Sequence, residues 1–250
     1  MISLQKLKYL RPSRFGLFRY SDPNFLNLHF MSGDRATLTD WQGLHAYHGS
    51  AHLKAEPFSD IYERATALDP NLPRETLRLR VYNVVTLGEV ALKRSGDILL
   101  AGLSHGVMPR AFLERHRADL VGRTVWIADP LNGTLARGNR CKTSAYDADF
   151  AGICTMLATF ANVKIAMGYI PDVLNEITSR EFCFIHMDTG DSASEVESLP
   201  WMRRRMGAGS VMVIDSFNSK PALAERYSSI LGDLGLTVLP LMNCQAACFA

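Results

Sequence analysis

The chain has 250 residues, 47% of them hydrophobic, with 27 Lys and Arg against 25 Asp and Glu. That is long enough for one substantial core, and a net charge of +2 gives no bulk electrostatic case for a nucleic-acid partner. No apolar run approaches the length of a membrane span, no signal-type apolar core follows the first six residues, and the five cysteines include no C-x-x-C pair, so a soluble, cytoplasmic protein is expected.

Residues 1–57 show no sustained period and carry His29, His45, His48 and His52; they read as an extension or cap of unknown role. The local basic runs, Lys6 to Arg19 and Arg203-Arg204-Arg205, read as solvated faces without an aromatic stacking platform. Cys244 and Cys248 have a four-residue spacing, but no further His or Cys lies close by in sequence to make a metal site.

From Arg74 to Lys93, Leu77, Val81, Val84, Val85, Ala91 and Leu92 recur at helical spacing, so one face is meant to be buried. Asp97 to Ala101 is then a short apolar run of the kind a fully covered parallel strand shows. The alternation continues with a helix near 109–121, a strand at 124–128, a helix at about 147–161 and strands at 163–166 and 182–187. It ends with a helix at about 193–206, a strand at 210–214 and a helix at 221–234. Such βα alternation requires right-handed crossovers and a mainly parallel α/β sheet.

Three features mark one edge of that sheet. The first strand opens into Ala101-Gly102-Leu103-Ser104-His105-Gly106, where glycines let backbone approach a ligand. The next strand ends in Asp129, where nucleotide-binding α/β folds place an acid for a ribose diol, and together the two point to a nucleoside-containing cofactor. Two later strands end in acids, Phe184-Ile185-His186-Met187-Asp188 and Val211-Met212-Val213-Ile214-Asp215. Strand-terminal carboxylates converge on the ligand crevice of an open α/β sheet, where a proton or a metal can be handled.

The tracts Asp97 to Gly106, Val125 to Gly133, Gly168 to Leu174, His186 to Ser194 and Gly207 to Asp215 come in an order that resembles the macrocin O-methyltransferase (TylF/MycF-like) family of class I S-adenosylmethionine-dependent methyltransferases, from about residue 58 to the C-terminus. The resemblance implies a three-layer, doubly wound, mainly parallel seven-stranded Rossmann-like sheet. It also implies a closing antiparallel hairpin from Leu236 to Ala250 and a methyltransferase domain over 58–250. It implies that Gly102, Leu103 and Gly106 pack on the methionine and ribose part of S-adenosylmethionine, that Asp129 binds the ribose hydroxyls, and that Gly168 and Tyr169 lie near the adenine. A divalent metal, usually magnesium, would be held at Asp188 and Asp215 and would orient a hydroxyl of a sugar or glycosylated small molecule, a natural product or lipo-oligosaccharide. Asp188 or His186 would serve as catalytic base where no metal does.

The chain departs from the pattern at three places. Ala101 stands where an acid usually precedes the glycine turn, and Gly190 and Ser216 stand where further carboxylates are expected. Two remaining carboxylates are fewer than magnesium prefers; Asp191 lies one residue beyond Gly190, but neighbouring side chains in extended chain point in different directions, which argues against it as a replacement. These departures keep a second class open, a decayed methyltransferase-like binding or scaffold protein. The acceptor and the oligomeric state, including a homo-oligomer, are not fixed by sequence.

Overall fold

The computed structural model describes residues 51–67, 77–103, 105–130, 151–241 and 243–250 in full, and the backbone alone of 10–12, 18–20, 39–41, 44–46, 74–76, 134–136, 139–140 and 150. The side chains of His29, His45 and His48, the N-terminal basic run and Cys141 therefore lie outside the described residues. The main elements are α1 (Phe58–Thr66), α2 (Arg74–Ala91), β1 (Asp97–Ala101), α3 (Val107–Arg115), β2 (Val125–Asp129), α4 (Phe150–Leu157) and β3 (Val163–Met167). They continue with β4 (Phe182–Met187), α5 (Ser192–Arg203), β5 (Met206–Ile214), α6 (Pro221–Asp233), β6 (Thr237–Pro240) and β7 (Ala246–Phe249).

Seven strands form one sheet in the order β6-β7-β5-β4-β1-β2-β3. β3, β2, β1, β4 and β5 are parallel, and β7 runs antiparallel between β5 and β6. This is the doubly wound Rossmann-like architecture expected, with its closing hairpin. The strand order reverses between β1 and β4, and in such sheets the ligand crevice opens at that switch point, outside the carboxyl ends.

Alternation along each central strand sends side chains to two separate cores. Ile98, Leu100, Val125, Ile127, Phe184, Val211 and Val213 pack under α1 to α4, whereas Leu99, Trp126, Ile185, Met187, Met212 and Ile214 pack under α5 and α6. All six residues of β4 are buried, which is why its sequence reads as a continuous apolar run rather than an alternating one.

The helix expected at 109–121 is shorter and earlier, because Gly106 provides its start and 116–122 turn away to let Leu120 reach the core. β5 begins at Met206, four residues before the strand expected. Gly207, Ala208 and Gly209 hid it, and the register with β4 shifts between Phe182 and Phe184, as glycine in a strand often signals. Leu53, placed by sequence in the extension, is 1% exposed and buried in the first core, and its carbonyl accepts a hydrogen bond from Arg78 Nη1 at 3.1 Å.

The Arg203 to Arg205 run closes the end of α5. Arg203 donates to the carbonyls of Leu234 and Met206 at 3.0 and 3.1 Å, and Arg205 lies over the Trp201 ring at 3.8 Å. No helix among the described residues is long and apolar enough to cross a membrane.

Candidate functional site

The carboxyl ends of β3, β2, β1, β4 and β5 bring all the sequence-predicted positions to one edge. Gly102 follows β1 with φ +96°, and a Cβ there would overlap the carbonyl of Asp188 at the end of β4. Its first structural duty is thus to let two strand ends close on each other, which no L side chain would permit. Leu103 N–H donates to Asp129 Oδ2 at 2.7 Å, so the glycine turn is pinned to the acid that closes β2. Gly106 takes a left-handed φ of +76° at the start of α3, facing Ile153 of α4. Gly168 N–H donates to the Asp129 carbonyl at 3.2 Å, and Tyr169 accepts from Val173 N–H at 3.0 Å. Gly102, Leu103, Asp129 and Gly168 therefore form one continuous rim.

Pleating places His186, Asp188 and Asp215 on the α2 side of the sheet. Asp188 N–H donates to the Ala101 carbonyl at 2.8 Å and Asp215 N–H to the Met187 carbonyl at 3.0 Å, which extends the ladder through both acids. The Asp215 side chain has no solvent exposure. Its Oδ1 accepts from His186 Nε2 at 3.2 Å and from Gln245 Nε2 at 2.5 Å, and its Oδ2 is paired with the Arg80 guanidinium. The same Arg80 nitrogen lies 3.5 Å from Asp188 Oδ2, and the Asp188 side chain is 25% exposed. His186 is fully buried, and its ring is engaged with Asp215 rather than with solvent.

Burial opposes the charge of Asp215, but the Arg80 guanidinium, His186 and Gln245 outweigh it and hold the carboxyl well below the usual range. Burial and then the charge of Asp215 push Asp188 the other way, above its usual range, against the pull of Arg80. Two acids side by side are driven apart, which is how one environment supplies an ionised anchor and a proton acceptor.

Asp191, the candidate replacement ligand, is the N-cap of α5: Oδ1 accepts from Ala193 N–H at 3.3 Å and Oδ2 from Ser194 Oγ–H at 2.5 Å. Ser216 donates to Glu195, a fully buried acid that also receives the Tyr227 hydroxyl and the N–H and hydroxyl of Thr189 at 3.0 and 3.1 Å. Burial nevertheless pushes the Glu195 carboxyl up. A cavity of about 550 Å³ beside α6 is lined by Gly190, Ser192, Ser216, Ser219, Lys220 and Arg226, and neither Asp188 nor Asp215 lines it.

A divalent metal does not fit Asp188 and Asp215 as they stand. The Asp215 oxygens face N–H donors, a guanidinium lies between the two acids, and no cluster of three or more His, Cys, Asp or Glu suited to a metal occurs among the described residues.

Arg80, Gln245 and Glu195 were missed at the sequence level. Arg80 carried a usable signal: it lies three residues after Leu77 and four before Val84, so it interrupts the apolar face of a helix, and a charge there needs a buried partner.

The sequence matches no protein-family model and no curated protein. Solved structures do match. The O-methyltransferase NovP aligns with TM-score 0.57 and 15% identity over 80% of this chain and 98% of its own. CalS11, a TDP-rhamnose 3'-O-methyltransferase of calicheamicin biosynthesis, aligns with TM-score 0.52 and 14% identity over 78% and 95%. TomG from Streptomyces achromogenes, involved in tomaymycin synthesis and solved with S-adenosylmethionine, aligns with TM-score 0.51 and 15% identity over 78% and 90%. The chain has the class I methyltransferase fold. Within that fold its strand-end acid pair is bridged by arginine.

The two acids carry opposite stability signs. Asp215, with its folded pKa lowered, contributes stability that is complete above about pH 4, the unfolded value, and is lost as pH falls through the folded value. Asp188, with its folded pKa raised, costs stability once ionised. Asp215→Asn is therefore expected to lose about 3 to 5 kcal/mol at pH 7 by urea unfolding and to flatten the acid limb. Asp188→Asn is expected to leave the pH 7 midpoint unchanged or higher; an equal loss in both variants would refute the division of roles.

Proposed function

We propose that the protein is an S-adenosylmethionine-dependent O-methyltransferase acting on a hydroxyl of a sugar or glycosylated small molecule. The observation that carries this reading is the rim at the switch point, where the glycine turn after β1 is tied through Leu103 N–H to Asp129, beside Asp188. Support for the oxygen acceptor comes from the sugar and natural-product O-methyltransferases that share the fold.

The cradle fits the cofactor. Gly102 presents backbone where a Cβ would meet the Asp188 carbonyl, and Asp129, which holds the Leu103 N–H, is the acid placed for a ribose diol. Gly106, Gly168 and Tyr169 complete the cradle in this reading. When bound, S-adenosylmethionine supplies an electrophilic methyl group on a sulfonium sulfur. The chain's own task is alignment, which can lower a barrier by roughly 7 to 11 kcal/mol, and proton removal, worth about 10² to 10⁴ fold.

Asp188 accepts first the hydrogen bond and then the proton of the acceptor hydroxyl. With the cofactor bound, the deprotonated oxygen would take the methyl group that the sulfonium supplies, while Asp188 would hold the proton. A carboxyl held above its usual range is the better base for this. His186, buried on Asp215, positions the acid pair.

The runner-up, a protein that binds the cofactor without turnover, draws on Ala101, which leaves the cofactor's amino group without its usual acid. Its mark would be calorimetric binding of S-adenosylmethionine with no methylation of any glycoside.

Asp129→Asn keeps one oxygen for Leu103 and is expected to weaken S-adenosylmethionine at least tenfold in calorimetry. Unchanged affinity would remove the cofactor assignment. Asp188→Asn is expected to bind the cofactor normally and to lose 10² to 10⁴ fold in turnover. Wild-type turnover should fall as Asp188 takes up its proton, with a midpoint above about pH 4, the ordinary carboxylate value; a pH-independent rate would show that Asp188 is not the base.

A further inference from the structure

Arg80 occupies the place between Asp188 and Asp215 where a hard cation would sit if these acids were a metal site. Its guanidinium is paired with Asp215 Oδ2, and the same nitrogen is 3.5 Å from Asp188 Oδ2, so one charge spans the ends of β4 and β5. The arrangement is built from several elements rather than left to a surface side chain. Gln245 Nε2 reaches both Asp215 Oδ1 at 2.5 Å and the Arg80 carbonyl at 3.3 Å. Its Oε1 accepts from Asn83 Nδ2 at 3.0 Å and Asn243 Nδ2 at 2.8 Å, and Asn243 Oδ1 accepts from Gln245 N–H at 2.9 Å. α2, β5, β7 and the turn before β7 thus fix one another around a carboxylate with no solvent exposure.

A divalent ion needs several oxygens aimed at it, and holds them at about 2.0 to 2.6 Å. Here the oxygens of Asp215 are aimed at N–H groups, and an arginine cannot lose its charge to make room.

We propose that Arg80 is a built-in cation that replaces a divalent metal at this acid pair, so that the site works without metal and Asp188 alone is left to meet the acceptor. The catalytic half of this statement rests on the methyl-transfer reading; the replacement of metal does not. Arg80 acts here as a positioning residue: it holds Asp188 and Asp215 at a fixed separation and keeps Asp215 ionised, while Asp188 retains its exposed edge.

The test is a manganese titration of the full chain followed by the loss of the free-ion signal in electron paramagnetic resonance. Wild type is expected to take up no stoichiometric Mn²⁺. Arg80→Met is expected to take up one ion per chain, at least tenfold tighter than wild type, and to lose it on adding Asp215→Asn. Arg80→Gln, which keeps a donor for Asp215, serves if Arg80→Met does not give a cooperative thermal transition.

Stoichiometric uptake by wild type that Asp215→Asn abolishes would overturn the proposal, as would a folded Arg80 variant with no gain in uptake. Wild-type turnover should survive EDTA, whereas the Arg80 variant should fall at least tenfold and recover in part with Mn²⁺. If no acceptor is ever methylated but the uptake pattern holds, the methyl-transfer reading fails while the metal replacement stands.

Discussion

Asp215 is a full charge with no access to water, and its compensation constrains everything around it. An isolated buried carboxylate would cost several kcal/mol, so the fold must deliver a cation and donors to the carboxyl end of β5. It does so from three directions: Arg80 from α2, His186 from the neighbouring strand β4, and Gln245 from the turn entering β7. The antiparallel hairpin is therefore more than a way to close the sheet. By running back beside β5, β7 carries Gln245 to the acid, and Gln245 in turn holds the Arg80 backbone. The same arrangement leaves Asp188 less compensated and partly exposed, with its carboxyl pushed up rather than down. Compensation is concentrated on one acid and solvent access on the other.

The glycine turn joins this centre to the rest of the rim through packing. Gly102 must be glycine because Asp188 backbone comes against it, and Leu103 N–H then has one strong acceptor in reach, Asp129. A motif commonly attributed to ligand clearance is here first a requirement of the protein's own strand ends. The two roles agree, since the closure that forbids a Cβ also exposes backbone at the switch point, where a ligand would lie.

The sheet was legible because each central strand is buried on both faces and so reads as a continuous apolar run closed by a charged or glycine residue. Leu99 to Ala101, Val125 to Asp129 and Phe182 to Met187 all follow that form. β5 was legible only in its second half, because Gly207 and Gly209 carry no strand propensity and the register shift there is a tertiary matter. The positions of Asp129, Asp188 and Asp215 at strand ends could be read directly. Their partners could not: Arg80 and Gln245 lie 135 and 30 residues from Asp215 along the chain, and only the packing of α2 and the return of β7 bring them together. Asp191, disfavoured as a ligand by the direction of its side chain, is taken up by the free N–H groups at the start of α5 as a cap.

The departures at Ala101, Gly190 and Ser216 admit a reading as loss, but their surroundings argue for replacement. Buried polar groups are normally partnered, and at this site Arg80 Nε and His186 Nδ1 are buried without a partner, while the departed positions themselves are accommodated. Ser216 donates to Glu195, whose carboxylate collects Tyr227 and Thr189 as well. Gly190 adopts a left-handed φ of +72° in the turn that lets Asp191 cap α5. Ala101 faces the second core among Leu99, Ile185 and Met187, where an acid would need a partner that this apolar cluster does not offer. Each missing carboxylate thus lies in a local structure that is consistent without it. Arg80, the cation between the acids, is tied in by backbone as well as side chains. Local consistency at these positions is what a site of altered electrostatics would require.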